Sequence, residues 1–266
     1  MTAISNRESV ITLLTDFGLQ DVYVGIIKGV IATINPHLKI IDLTHQIPPQ
    51  NILAGRFALK NAFPYFPENT VHVAIVDPGV GSERKGVAIA VNNSFLVGPN
   101  NGLFSGILED YKPQIVRELT NPKYWLTPNP SHTFHGRDIF ATVAAHLASG
   151  ISIENLGPKI DVNNLKKVNI PEYQKINQEI IGSIQYIDVF GNLITNIPAK
   201  ILLNKSWQVL IDNVLIGRGK TYSSVPPGQL VALIGSHGWL EIAVNSGNAK
   251  IELQKNWGDQ IRIKLS

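Results

Sequence analysis

The chain has 266 residues, 44% hydrophobic and 16% charged, which suits a folded globular protein with a sizeable core. Its net charge is only +3 and no basic run exceeds a pair such as Lys166-Lys167, which argues against a nucleic-acid partner. There is no cysteine, so disulfides, thiolate metal sites and cysteine nucleophiles are excluded together.

The first ten residues lack the apolar core of a signal peptide, and no apolar span approaches the ~20 residues of a transmembrane helix. The cytoplasm is the expected compartment, with no membrane partner. Val10 to Thr15 reads as a buried strand that ends in Asp16-Phe17-Gly18, an acid followed by a glycine turn. After Asp21, Val22 to Asn35 predicts a helix stopped by Pro36. Lys39 to Leu43 is strand-like, Thr44 to Pro49 a loop, and Asn51 to Ala62 has helical spacing. Val71 to Val76 is a second buried strand, and it runs into Asp77-Pro78-Gly79-Val80-Gly81. The pattern to this point is βαβαβ, and acids at the carboxyl ends of buried strands are where open α/β sheets bind ligands. Arg84 is close enough for the loop to fold it back onto Asp77, although a strand-end aspartate can also cap its own turn.

Gly86 to Val91 and Ser94 to Val97 read as strands split by Asn92-Asn93, and Leu103 to Leu108 opens a helix. Thr133-Phe134-His135-Gly136-Arg137-Asp138 precedes a helical segment from Ile139 to Leu147, placing His135 at a helix mouth. Leu156 to Gln178 is polar and proline-punctuated, as in a linker. Beyond it, Glu179 to Val189, Trp207 to Leu210, Leu230 to Leu233, Trp239 to Val244, Lys250 to Leu253 and Gln260 to Leu265 read as short strands. The expected organisation is an α/β fold: an N-terminal α/β domain over residues 1–165 with a mostly parallel sheet, and a C-terminal all-β, barrel-like domain over 178–266.

No Walker loop or G-x-G-x-x-G is present, so a nucleotide triphosphate or dinucleotide lacks its usual support. Asp16, Asp21, His45, Asp77, His135 and His237 could supply ligands to a metal-dependent hydrolase of a small nucleoside-type substrate. His132 and His135, the close histidine pair, fall in a loop rather than on one helical face.

Five motifs in order carry a more specific signal: T-D-F-G-x-x-D, V-D-P-G-V-G-S-x-R, G-P-N-N-G-L, T-F-H-G-R-D and D-V-F-G-N-L-I-T-N-I. Together they resemble the S-adenosyl-L-methionine (SAM) hydroxide adenosyltransferase family, relatives of the fluorinase and chlorinase enzymes. The resemblance runs from Val10 to about Leu253. It implies attack of water or hydroxide on C5′ of SAM to give adenosine and methionine, with SAM as substrate and no cofactor or metal. It also implies a homotrimer with active sites between subunits.

By the same resemblance, Asp77, Arg84 and His135 form the polar triad around the nucleophile. The halogenating relatives carry tyrosine where this chain has Asp77, and the fluorinase has serine where this chain has Gly136; both differences favour water over halide. Asp16 corresponds to the acceptor of the ribose hydroxyls, and Asp21 with Asp188 to partners of the methionine ammonium. Phe190 and Asn192 resemble the adenine-contacting pair, and Ser236 the serine that holds the methionine carboxylate. His237 replaces a fluorinase arginine, which would make carboxylate binding weaker or pH-dependent. Gln50 replaces a tryptophan that stacks on the nucleoside. Other readings stay open at this level: Phe190 as a barrel-core aromatic, Asp188 and Asn192 as turn formers, Asp16 as a helix-entry residue. A non-catalytic adenosine or SAM sensor would use the same pocket. Within the triad, the expectation is that Arg84 lowers the basicity of Asp77 and that His135 accepts the proton.

Overall fold

The computed structural model describes residues 9–265, which form two compact units that meet in sequence between Val168 and Asn169. In the first unit, β1 (Val10–Thr15) and β3 (Val71–Ile75) are buried along their whole length, as expected for uninterrupted apolar runs covered on both faces. They pair in parallel with each other, and β1 also pairs in parallel with β2 (Lys39–Thr44). The crossovers are α1 (Tyr23–Ile34) and α2 (Ile52–Ala62). Asn51 starts α2 by accepting a hydrogen bond from the Ala54 amide at 2.9 Å, a side-chain cap of the usual kind.

β3 pairs in parallel with β5 (Ser94–Pro99), and β5 is the second arm of a hairpin with β4 (Gly86–Val91). Asn92 and Asn93 between them both have positive φ, 47° and 57°, which matches the right-handed twist of a tight hairpin. An edge strand, β6 (Pro113–Glu118), completes a mixed sheet ordered β2-β1-β3-β5-β4-β6. A short helix, α3 (Ser105–Asp110), follows β5, and a π-helical stretch, Gly136–Ala141, runs straight into α4 (Thr142–Ala148). π-Turns of this kind concentrate at functional sites.

The expected linker from Leu156 is not a free connector over its first half. Leu156, Ile160 and Leu165 are buried, and the Ile160 amide donates to Val116 O at 3.1 Å. Three apolar side chains spaced through a polar stretch escape a composition reading. The second half contributes a strand, β7 (Gln174–Ile176), which pairs with β8 (Glu179–Ile187) in the second unit.

The second unit is an antiparallel sheet that curls into a nearly closed barrel. Its remaining strands are β9 (Leu193–Pro198), β10 (Trp207–Ile211), β11 (Val214–Ile216), β12 (Leu230–Ile234), β13 (Trp239–Val244) and β14 (Gln260–Leu265), ordered β11-β10-β14-β8-β9-β13-β12. A bridge from Arg218 to Ala232 links the two ends of that order. Lys250 to Leu253, expected as a strand, is instead the helix α5 (Ala249–Leu253), because Asn248 caps it by accepting from the Ile251 amide at 3.0 Å. Among the described residues, no helix is long and apolar enough to cross a membrane.

Candidate active site

The chain leaves β1, crosses to β2 on one side, then returns to place β3 on the other side of β1. Such a reversal opens a crevice at the carboxyl ends of the two strands. Thr15 lies opposite Ile75 across the β1–β3 pair, so the acids that follow, Asp16 and Asp77, emerge side by side. They line a cavity of about 270 Å³ together with Phe17, Val80, Phe134, His135 and Gly136.

The loop after β3 is two consecutive turns. Val80 N donates to Asp77 O at 3.2 Å, and Ser82 N to Gly79 O at 3.2 Å. This brings Arg84 back onto Asp77 as the spacing suggested: Nε donates to Oδ1 at 3.0 Å and Nη2 to Oδ2 at 2.5 Å. Only 8% of the Arg84 side chain and 6% of the Asp77 side chain are exposed. The guanidinium also lies 5.4 Å from the centre of the Phe140 ring.

Arg84 Nη2 reaches His135 Nδ1 as well, at 3.0 Å. A guanidinium can only donate, so Nδ1 is the acceptor and the neutral ring carries its hydrogen on Nε2. Burial, and then the charge of Arg84, hold His135 below the ordinary imidazole range, so the ring is neutral at neutral pH. The expected proton acceptor therefore presents a donor, not a lone pair: its basic nitrogen is already engaged. Arg84 does lower the Asp77 carboxyl, as expected, but it does not set the net direction. Burial raises its carboxyl, and the charge of Asp16 adds to this; together they outweigh the lowering by Arg84. Each Asp77 oxygen accepts one bond from Arg84 and keeps lone-pair capacity for another donor.

The remaining pieces hold this arrangement in place. Asp16 Oδ2 accepts from the Gln50 amide at 2.8 Å, so Gln50, itself exposed, contributes its backbone. His45 does not line the cavity; it is buried, with Nδ1 2.9 Å from Thr15 Oγ1 and its carbonyl accepting from Gly18 N at 2.8 Å. Asp21 is exposed in the bend before α1. Gly136 is buried, and a Cβ there would lie 3.2 Å from Ile75 Cδ1 and 3.4 Å from Phe134 Cε2, so any side chain would narrow the cavity.

Two residues that sequence reasoning quoted without assigning a role belong here. Phe134 stacks edge-on to Phe17 and Tyr23, with centroids 5.9 and 5.3 Å apart. Asp138 is fully buried and accepts from Arg137 Nε at 2.6 Å and from the Ser131 amide at 2.8 Å, which pins the loop before His135. Both lie inside T-F-H-G-R-D, so the motif itself was the available signal. Among the described residues, no group of three or more His, Cys, Asp or Glu is arranged to hold a metal ion.

On the second unit, the turn between β8 and β9 is built by Asp188. Its Oδ1 accepts from the Phe190 and Asn192 amides at 3.0 and 2.8 Å, and its Oδ2 from Asn192 Nδ2 at 2.9 Å. Asp188 and Asn192 thus build this turn together. Gly191 sits at φ 83°, and a Cβ there would collide with the Asn248 side chain 2.1 Å away; only glycine fits. Phe190 is 70% exposed, so it is no core aromatic of its own unit. Ser236 is exposed on the turn between β12 and β13. The His237 ring beside it points inward: Nδ1 accepts from the Trp239 amide at 3.2 Å and Nε2 faces Glu241 Oε2 at 3.1 Å.

Known proteins are similar to this chain along nearly its whole length. Residues 11–157 match the SAM hydroxide adenosyltransferase N-terminal domain and residues 182–262 the C-terminal domain. An (R)-S-adenosyl-L-methionine hydrolase from Salinispora arenicola is 36% identical, covering 95% of this chain and 97% of its own length. One from Thermus thermophilus is 37% identical, covering 94% and 97%. A crystal structure of an uncharacterized conserved protein from Thermotoga maritima superposes with a TM-score of 0.90 at 37% identity, covering 96% of this chain and 99% of that one. The chain belongs to the SAM hydroxide adenosyltransferase family.

Proposed function

We propose that the protein hydrolyses SAM by attack of water on C5′ of the adenosyl group, giving adenosine and L-methionine. The observation that carries the reading is the buried Asp77–Arg84–His135 network at the wall of a cavity that also holds Asp16. The C5′–S bond breaks as the C5′–O bond forms, and its electron pair leaves with sulfur as a neutral thioether. No acid is needed to protonate the leaving group, and opposite charges cancel as hydroxide character meets sulfonium, so a site closed to bulk water favours the reaction. Holding the oxygen in line with the breaking bond supplies much of the rate.

Asp77 takes the water's proton, since its burial makes it a better base than an exposed aspartate. His135 donates from Nε2 to orient the water oxygen, and Arg84 fixes both partners. Asp16 accepts from the ribose hydroxyls. Phe190, Asn192, Asp188, Asp21 and Ser236 surround adenine and the methionine head. The relatives' name specifies the (R) epimer at sulfur, and the same epimer is the substrate here.

The active unit is a homotrimer, with sites completed by the neighbouring copy. Apolar side chains exposed on each unit support it: Leu19, Val22 and Tyr23 on the first, Val189, Phe190 and Ile251 on the second. Mixing Asp77→Asn with Asn192→Ala subunits then restores part of the activity; no recovery despite proven exchange contradicts the arrangement.

The direct test is incubation with (R)-SAM in halide-free buffer containing a chelator. Adenosine and methionine are expected in equal amounts. Loss of activity on chelation would point to a metal-dependent hydrolase. Stoichiometric binding without turnover would point to a sensor, and chloride-dependent 5′-chloro-5′-deoxyadenosine to a halogenating enzyme.

A further inference from the structure

One buried polar group lies beside the turn between β12 and β13 that carries Ser236, outside the triad chemistry. Glu241, on β13, has a side chain only 4% exposed. Its Oε1 accepts from the Tyr222 hydroxyl at 2.8 Å and its Oε2 faces His237 Nε2 at 3.1 Å. Because His237 Nδ1 accepts the Trp239 amide, Nε2 holds the hydrogen that goes to Glu241. Ring and carboxylate press on the residue just before Ser236: a Cβ on Gly235 would lie 2.4 Å from His237 Cε1 and 2.6 Å from Glu241 Oε2. The turn itself is closed by the Gly238 amide donating to Gly235 O at 2.9 Å and the Gly235 amide to Trp239 O at 3.0 Å.

Tyr222 approaches from a separate segment, a short turn at Tyr222–Ser224 fixed by a reciprocal cap between Thr221 and Ser224. Burial, Glu241 and the charge of Asp188 push its phenol up to about 12, so it stays a donor. A carboxylate buried inside a barrel strand is costly unless its oxygens are satisfied, and an apolar residue would pack there more cheaply. What the carboxylate gains is a rigid link between the Ser236 turn and the Tyr222 segment.

We propose that Glu241 and Tyr222 are positioning residues that fix the Ser236 turn, and so set specificity for the carboxylate of the substrate's amino-acid end. This rests on the reading of Ser236 given above.

The test uses full-length Glu241→Gln and Tyr222→Phe, the second because the buried substitution could impair folding while Tyr222 is half-exposed. Methionine binding is measured by calorimetry on adenosine-saturated protein, and KM and kcat with SAM. Both variants are expected to lose about tenfold in methionine affinity and to raise KM by about the same factor, as for a lost hydrogen bond to a charged group. Adenosine affinity stays at the wild-type value, and kcat changes far less than KM. The SAM analogue lacking the carboxylate is bound equally by wild type and variants. Unchanged methionine affinity in the folded variants overturns the proposal, and so does an equal loss for methionine, adenosine and the decarboxylated analogue. A wild-type protein that binds methionine and adenosine without turnover defeats the hydrolase reading instead, and the binding measurements still decide this one.

Discussion

Replacing His135 by Gln and by Ala separates its two chemical roles. Arg84 occupies Nδ1 at 3.0 Å, so His135 is assigned as a donor through Nε2. Glutamine keeps an N–H near that position; alanine removes it. A hydrogen bond to a charged or charging group is worth about 1.5–3 kcal/mol, so His135→Ala is expected to lower kcat by about 10- to 150-fold, and His135→Gln by about tenfold or less. Removing the base costs more: Asp77→Asn is expected to lower kcat by about 10²- to 10⁴-fold. It also leaves Arg84, with only 8% of its side chain exposed, without its counter-charge. The pH profile gives an independent check. Activity carried by Asp77 is lost as pH falls through its carboxyl value, which burial raises above the ordinary 3.8. That acid limb must persist in His135→Gln. The assay is initial-rate adenosine formation from pH 4 to 9, followed by chromatography. Equal losses in His135→Gln and His135→Ala, together with disappearance of the acid limb in both, would show that His135 is the base and refute the tautomer argument.

Arg84→Lys should retain charge but lose the fork that joins Asp77 and His135, lowering kcat by about 10²-fold with adenosine affinity intact; near-wild-type kcat would show the fork is dispensable. His72, buried against Thr12 in the sheet and held to about 4 by burial, makes stability pH-dependent. The unfolded chain binds its proton near 6.5, so stability is full above that value and falls by about 3 kcal/mol as pH drops from 6.5 to about 4. Urea titrations of His72→Leu should lack that slope, and curves parallel to wild type would contradict it. Gly191→Ala, at φ 83° and against Asn248, should cost about 1–3 kcal/mol of stability and weaken adenosine binding; an unchanged melting temperature would mean the turn relaxes freely.

Much of the fold was legible where one physical signal dominated. β1 and β3 follow from uninterrupted buried runs, the β4–β5 hairpin from an asparagine pair, and α2 from the helical spacing of its apolar residues. The edge strand β6 was not seen, because it begins with Pro113 and mixes polar with apolar residues. Ala249–Leu253 misled because its apolar residues alternate; the Asn248 cap was the better signal. Within the site, strand-end acids and the return of Arg84 to Asp77 could be read from spacing. The state of His135 and the direction of the Asp77 shift could not, since they depend on which nitrogen Arg84 meets and on how deeply the pair is buried. Tyr222 and Glu241 left no local mark: nothing in sequence shows that a strand glutamate faces inward to a tyrosine from another segment.

The central claim is that an oxygen from water becomes bonded to C5′, and running the reaction in oxygen-18 water tests it most directly. Mass spectrometry of the products should place one heavy oxygen in the 5′-hydroxyl of adenosine and none in methionine. Unlabelled adenosine, or label in the amino-acid product through attack on a methionine carbon, would contradict the account.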